Sequence, residues 1–327
     1  MKSNRRLWPL ILLCVVLVSY VVIWTNRNTI LDWAALQGYT PSSQMTALAS
    51  DTTMTPLAKR YLDVNHAKLA DRDEFNKHCT NETEQTVVLG CYTGNRNGIY
   101  VYNVTASELH GVQQVTAAHE MLHQAYDRLS NSERGRIDKL IEDYYKTSLN
   151  DDSVKAQIEE YKQSEPDALD NEMHSLFGTE VASLPSELEE YYKQYFTDRA
   201  KVVQYYNDYQ SAFTTRKAQI ANYDEQLKTK KEAIDTLEAD VHSELSSLDS
   251  QKAQMEAKRA SGDTSGYNAM VAPYNAAIAA YNADLGKLKA MISEYNDIVT
   301  KRNAIADQEA ALQQSLSSKQ LPEQAGQ

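Results

Sequence analysis

From residue 7 to 24 the chain runs without a charge: Leu-Trp-Pro-Leu-Ile-Leu-Leu-Cys-Val-Val-Leu-Val-Ser-Tyr-Val-Val-Ile-Trp. About eighteen apolar residues suffice for one helical crossing of a bilayer core, so this stretch is predicted as a transmembrane helix. Residues 26–55 are polar, with Pro41, Ser42, Ser43 and several threonines, and read as a tether. Residues 57–78, with Tyr61, Leu62, Val64, Leu69 and Phe75, are weakly helical and make the expected first element of a folded domain. Residues 86–92 and 99–104 are β-rich, and Thr93-Gly94-Asn95-Arg96-Asn97-Gly98 between them has the composition of a hairpin turn. The period then changes. Val112, Val115, Ala118, Leu122, Ala125 and Leu129 recur at threes and fours with no Pro or Gly among them, which predicts a helix. Ser130-x-x-Glu133 is a capping box that opens a second helix to about Tyr145. A short helix follows over residues 154–163, and Ser164-Glu165-Pro166-Asp167 starts another with Pro in its first turn.

Beyond Ser186, where Ser186-x-x-Glu189 reads as a further capping box, a heptad takes over. Leu188, Tyr192, Tyr195, Arg199, Val202, Tyr206, Tyr209 and Phe213 begin an alternation of four and three that runs through Arg216, Lys230 and Leu237 to Val241 and on to Leu248 and Met255. Such a pattern predicts a coiled-coil seam on one long helix. Ser261-Gly262-Asp263-Thr264-Ser265-Gly266 is a turn, after which Val271, Tyr274, Ile278, Tyr281, Leu285, Leu288, Ile292, Tyr295 and Val299 repeat the heptad. The two strips predict an antiparallel hairpin that pairs Met255 near Ala272 and Val241 near Gly286, with Pro273 near the start of the return helix. The recurrent tyrosines read as packing residues. Arg199, Arg216 and Lys230 in the seam mark places that are loose or that face a protein partner.

Composition narrows the class. The 327 residues are 42% hydrophobic with 11 Gly and 7 Pro, which favours helices over long flexible linkers. Mean hydropathy is −0.57, so most of the chain is water-compatible. A formal net charge of −12 with no basic patch excludes nucleic acid as an expected partner. Lys2, Arg5 and Arg6 precede the apolar run, so the N-terminus is expected in the cytoplasm and everything after Trp24 outside it, with an uncleaved anchor favoured over the alternative of a cleaved signal peptide. Cys79 and Cys91 are the two cysteines beyond that run, and an exported pair predicts a disulfide. Asn81-Glu82-Thr83 and Asn103-Val104-Thr105 fit the glycosylation pattern.

The chemistry concentrates in His119-Glu120-Met121-Leu122-His123, an H-E-x-x-H sequence on the helix predicted from Val112. Residues four apart share a helix face, so both imidazoles can bind one Zn2+, while Glu120, one step round, can act as general base toward water held there. His110 reads as an ordinary polar residue. A catalytic zinc commonly takes three protein ligands, and the stretch from Asp170 to Glu180 should supply the third from Glu172, His174 or Glu180. Glu180 also reads as an outer hydrogen-bond partner of a ligand histidine, as do Asp167 and Asp170. The metzincin arrangement is excluded, because it needs Gly and His where Tyr126 and Leu129 stand.

His119-Glu120-x-x-His123 with a downstream helical glutamate resembles the gluzincin class of zinc metallopeptidases. Within it, Glu172, Phe177 and Leu184-Pro185 are similar to the pattern that follows the zinc helix in ImmA/IrrE-type proteases. The likeness covers residues 99–185. It implies Glu172 as the third ligand and peptide or protein as substrate; the long heptad region is no part of that family's pattern.

The expected fold class is mainly α with a small β-hairpin: a zincin-like α+β domain, then a long antiparallel coiled-coil hairpin, with one N-terminal transmembrane helix. The expected boundaries are a cytoplasmic stub and anchor over 1–25, a tether over 26–55, the metallopeptidase domain over 56–185, the hairpin over 186–317 and a polar tail over 318–327. Two functions fit: a membrane-anchored, extracytoplasmic zinc metallopeptidase, or a non-enzymatic envelope adaptor whose zinc domain is vestigial or structural. An intact Glu120 favours the enzyme, since a structural site needs no base.

Overall fold

The structure, a computed structural model, describes residues 8–79 and 88–318. Lys2, Arg5 and Arg6, the Asn81-Glu82-Thr83 sequence, the start of the first β-rich run at Thr86 and Val87, and the tail from Leu321 lie outside the described residues. The chain divides into two compact units: Met1–Ser211 with Leu312–Gln327, and Ala212–Ala311.

The first unit opens with α1 (Trp8–Thr25), an apolar helix, and α2 (Arg27–Ala35). Among the described residues no single helix is long and apolar enough to cross a membrane; Ile11–Thr25 and Arg27–Ala35 reach that length only as a pair bent by 61°. Then come α3 (Ser43–Asp51) and α4 (Pro56–Val64). Residues 26–55 are thus not a tether: they carry α2 and α3 and bury Asp32, Met45, Leu48 and Ala49. Their polar residues act as caps and ion partners rather than as solvated spacers. Ser42 accepts from the Met45 amide, and Thr55 caps α4, which starts with Pro56.

The predicted helical element over 57–78 is three elements. After α4 the chain turns through His66 at φ 48°, forms β1 (Lys68–Ala70), and re-enters a helix, α5 (Arg72–His78), capped by Asp71. Strands β2 (Gly90–Tyr92) and β3 (Ile99–Tyr102) complete a sheet of order β1-β3-β2, with β1 parallel and β2 antiparallel to β3. The hairpin was legible, but β1 was not: its three residues are too few to show alternation. All four β3 residues are buried, because α5 and the next helix both pack on that central strand.

That next helix is α6 (Val112–Asp127), followed by α7 (Asn131–Thr147), which carries the full Ser130–Glu133 capping box, and α8 (Asp152–Ser164). A 3-10 turn at Pro166–Ala168 leads into α9 (Leu169–Thr179), and then comes α10 (Ser186–Tyr192). The second expected capping box is absent. Pro185 is the N-cap and makes no side-chain bond; Glu189 instead accepts from the Leu184 amide and from Arg199. The long helix α11 starts only at Arg199 (Arg199–Ala260), so the heptad of 186–259 is not one helix. Leu188, Tyr192, Tyr195 and Val202 belong to the core of the first unit. Arg199 is no seam residue either. Its guanidinium donates to the carbonyl of Phe177 in the last turn of α9 and to those of Val181 and Ala182 in the segment that follows.

The second unit holds most of α11 and of α12 (Thr264–Leu316), which are separated at Ser261, Gly262 and Asp263, where Gly262 takes φ 78°. Val241, Leu248, Met255, Leu288 and Ile298 are buried. Lys230 Nζ lies 2.6 Å from Glu294 and Arg302 Nε 3.0 Å from Asp224. Pro273 sits well inside α12 rather than at its start.

Candidate metal centre

Helix α6 is buried almost all round, from Val112 to Tyr126, as befits a central helix. His119, Glu120 and His123 place one ligand atom each within 4.8 Å of one another, a cluster that can hold a metal ion. The two imidazoles meet edge to face, with ring centres 4.8 Å apart.

A second carboxylate comes from α9. Glu172 Oε2 lies 3.4 Å from His119 Nε2, and its Oε1 lies 3.5 Å from His123 Nε2. Donors bound at about 2.1 Å to a tetrahedral zinc stand about 3.4 Å apart, so each histidine is at ligand spacing from one oxygen of Glu172. Gly178 lets the two helices approach: a Cβ there would fall 2.3 Å from Leu122 Cδ1 and 2.8 Å from Tyr192 Cε1. His123 is oriented from behind. Its Nδ1 is 3.1 Å from Asn171 Oδ1, an oxygen that can only accept, so Nδ1 carries the proton and Nε2 faces Glu172. Ser175 Oγ adds a contact at 3.3 Å.

Glu120 is covered by β2. A Cβ on Gly90 would lie 2.5 Å from Glu120 Oε1 and from Thr116 Cγ2. The strand is held there by two ties. The Tyr92 hydroxyl donates to Asp127 at 3.0 Å, and Cys91 is disulfide-bonded to Cys79, as the cysteine pair predicted.

The remaining ligand candidates have other hydrogen-bond partners. His174 is fully buried among Tyr126, Tyr191 and Tyr192, and its Nε2 is 2.8 Å from the Tyr191 hydroxyl. Burial, with the charges of His123 and His119, pushes its pKa down to about 3 and keeps it neutral. Glu180 accepts from Gln157 Nε2 at 2.8 Å and is bonded by Tyr206; burial raises its pKa. Asp170 faces the charges of Asp138 and Glu142, not a ligand histidine. His110 packs against the Tyr205 ring. The outer partner of His123 is therefore Asn171, which sequence reasoning missed. Its signal was adjacency to Glu172 and the four-residue step to Ser175 on one helix face.

The electrostatics follow from burial beside opposite charge. Burial opposes charge on His119, but the hydrogen bond and charge of Glu172, with Glu120 and Glu180, raise its pKa to about 9. Burial likewise opposes ionisation of Glu172, yet the charge of His123 and the His119 bond hold it below the ordinary carboxylate range. Burial pushes Glu120 up, against the pull of both histidines. Protonated His119 and ionised Glu172 thus favour each other as an ion pair, 3.4 Å apart.

Comparison with protein-family models, curated proteins and solved structures finds no match for this chain.

Proposed function

We propose that the chain is a zinc-dependent metallopeptidase of gluzincin type, held at a membrane with its catalytic unit on the extracytoplasmic side. The observation that carries this reading is the convergence of His119, His123 and Glu172 at 3.4 and 3.5 Å, with Glu120 beside them. Two nitrogens and one carboxylate are a zinc-type donor set, and the base is a fourth residue. Bound zinc supplies Lewis acidity toward a carbonyl and lowers the pKa of water. In this assignment Glu172 is the third ligand, ionised as its site favours. Glu120 takes a proton during attack and returns it to the leaving nitrogen; its raised pKa brings it nearer the working pH of such a base. Asn171 fixes the His123 tautomer. Among the described residues β2 is an edge strand next to Glu120, and an extended peptide can add to such an edge by main-chain hydrogen bonds.

The apolar α1 supports the membrane assignment, and the Cys79–Cys91 bond supports an oxidising compartment. Lys230–Glu294 and Asp224–Arg302 run in opposite chain order and support an antiparallel coiled coil for α11 and α12, an arm available to a protein partner. A structural metal in an envelope adaptor would take Glu120 as a ligand with His119 and His123; with Glu172 in that place, Glu120 is left to act as the base.

Metal analysis of the purified full chain, joined to a peptide-cleavage screen, tests the reading. About one zinc per chain is expected, with Glu120→Gln keeping the metal while cleavage falls by about 10²–10⁴-fold. Undiminished cleavage in Glu120→Gln would overturn the mechanism, and zinc retained in full by Glu172→Ala would move the third ligand elsewhere.

A further inference from the structure

Helix α2 is amphipathic in the reverse sense to a helix of a water-soluble domain. Its polar face points inward. Asp32 is buried, and its carboxylate lies 2.7 Å from Arg128 Nη2, 2.8 Å from Arg96 Nε and 3.5 Å from Arg60 Nε. One turn earlier, Asn28 Oδ1 accepts from Arg96 at 3.3 Å; at the helix end, the Ala35 carbonyl pairs with His66 Nε2 at 2.8 Å. Asn28, Asp32 and Ala35 are spaced by four and three, so they form one stripe, tied to the domain at every step. The opposite side carries Ile30 and Trp33, 46 and 64% exposed, and Leu31, 50% exposed, lies on the flank between the two faces.

Folding in water selects the other orientation, apolar in and charged out. Removing a carboxylate from water is costly unless it is paired, and here three guanidiniums are spent on it. The arrangement makes sense if the outward face does not meet water. Continuity says what covers it. Only Asn26 separates α2 from α1, whose described side chains are exposed on every side, and the chain bends there by 61°. Trp24 and Arg27 flank the bend, with the guanidinium 5.1 Å from the indole centre. Aromatic and basic side chains at such a junction suit the headgroup layer.

We infer that α2 lies in the surface layer of a lipid bilayer, with Ile30, Leu31 and Trp33 in the headgroup–acyl boundary and the Asp32–Arg60–Arg96–Arg128 cluster clamping the catalytic unit to it. This rests on the assignment of α1 to the membrane. The consequence is orientation. Arg96 lies in the β2–β3 turn and Arg128 at the C-cap of α6, so the clamp grips both the strand over Glu120 and the helix that carries the two histidines. The candidate centre would then face the membrane at one fixed attitude, suited to substrate segments that emerge from the bilayer.

The chain has three tryptophans, Trp8, Trp24 and Trp33, which makes depth measurable. Full-length chain carrying Trp8→Phe and Trp24→Phe leaves Trp33 as the only reporter; Trp8→Phe with Trp33→Phe leaves Trp24. Both are reconstituted in phosphatidylcholine vesicles brominated near the headgroup or near the acyl terminus. Trp33 should be quenched about twofold or more, and more strongly by the shallow bromine than by the deep one, as for a helix lying in the interface. Quenching of Trp24 without Trp33 would overturn the inference and leave α1 in the membrane. Quenching of neither would overturn the membrane assignment together with it. Trp33 shielded from aqueous acrylamide yet untouched by brominated lipid would give the face to a second copy of the chain, and this too overturns it.

Discussion

Two helix pairs in this molecule bury a seam, and they do so by opposite means. In α6 and α9 nearly every facing position is individually determined. Gly178 is required for the approach, Asn171 for the His123 tautomer, Arg199 for the end of α9, and Gly90 for the strand that covers Glu120. In α11 and α12 the buried positions Val241, Leu248 and Met255 repeat one seven-residue step, and the ion pairs that cross between the helices are exposed or half-exposed. The first pair holds unlike groups at fixed distances; the second spreads a uniform contact over many equivalent sites. Sensitivity to substitution should differ accordingly.

The largest effect is expected at the metal. His123→Ala removes a donor and should weaken zinc binding by more than about 100-fold, whereas Asn171→Ala, which loses only the outer hydrogen bond, should cost about 10–100-fold. Competition against a chelator ranks the two; equal losses would erase the distinction between ligand and outer partner. Gly178→Val comes next. Overpacking this contact should destabilise the first unit by about 1–3 kcal/mol in thermal unfolding, because Leu122 and Tyr192 already occupy the space. An unchanged transition would mean that the helix approach is not tight.

A smaller, pH-dependent effect belongs to His119. Its pKa in the metal-free fold, about 9, lies above its ordinary value of 6.5. The stabilisation from its bond to Glu172 is therefore fully present below pH 6.5 and lost as pH rises through about 9. Urea midpoints in the presence of chelator should fall between pH 6.5 and 9. With zinc bound that fall should vanish, since the metal replaces the proton. A flat profile in chelator would remove the His119–Glu172 pair. At the other extreme, Lys230→Ala breaks an exposed ion pair on the long helices and should leave the thermal unfolding midpoint essentially unchanged. A lowered midpoint would show that the repeating seam depends on single sites after all.

Local pattern was enough for much of this. The period of threes and fours announced α6 and placed His119, Glu120 and His123 on it; the capping box at Ser130 and the turn at Gly262 marked element ends; two cysteines announced their bond. Each of these is a short-range property, fixed by residues within a turn or two of one another or by the scarcity of a residue type. Tertiary structure decided the rest. Three carboxylate and imidazole candidates stood along α9 within nine residues, and periodicity alone could not choose among Glu172, His174 and Glu180. Which of them comes near His119 and His123 depends on the face of α9 that meets α6, and so on Gly178 and on a tyrosine cluster that fills the space behind His174. The heptad misled at Tyr192, Tyr195 and Arg199, because a helical stripe of tyrosine and arginine packs equally well as a coiled-coil seam or against a globular core. The supposed tether misled for the same reason: Asp32 looks solvated until three arginines from distant elements converge on it. Periodicity states which residues share a face; only packing of segments far apart in sequence states what that face touches.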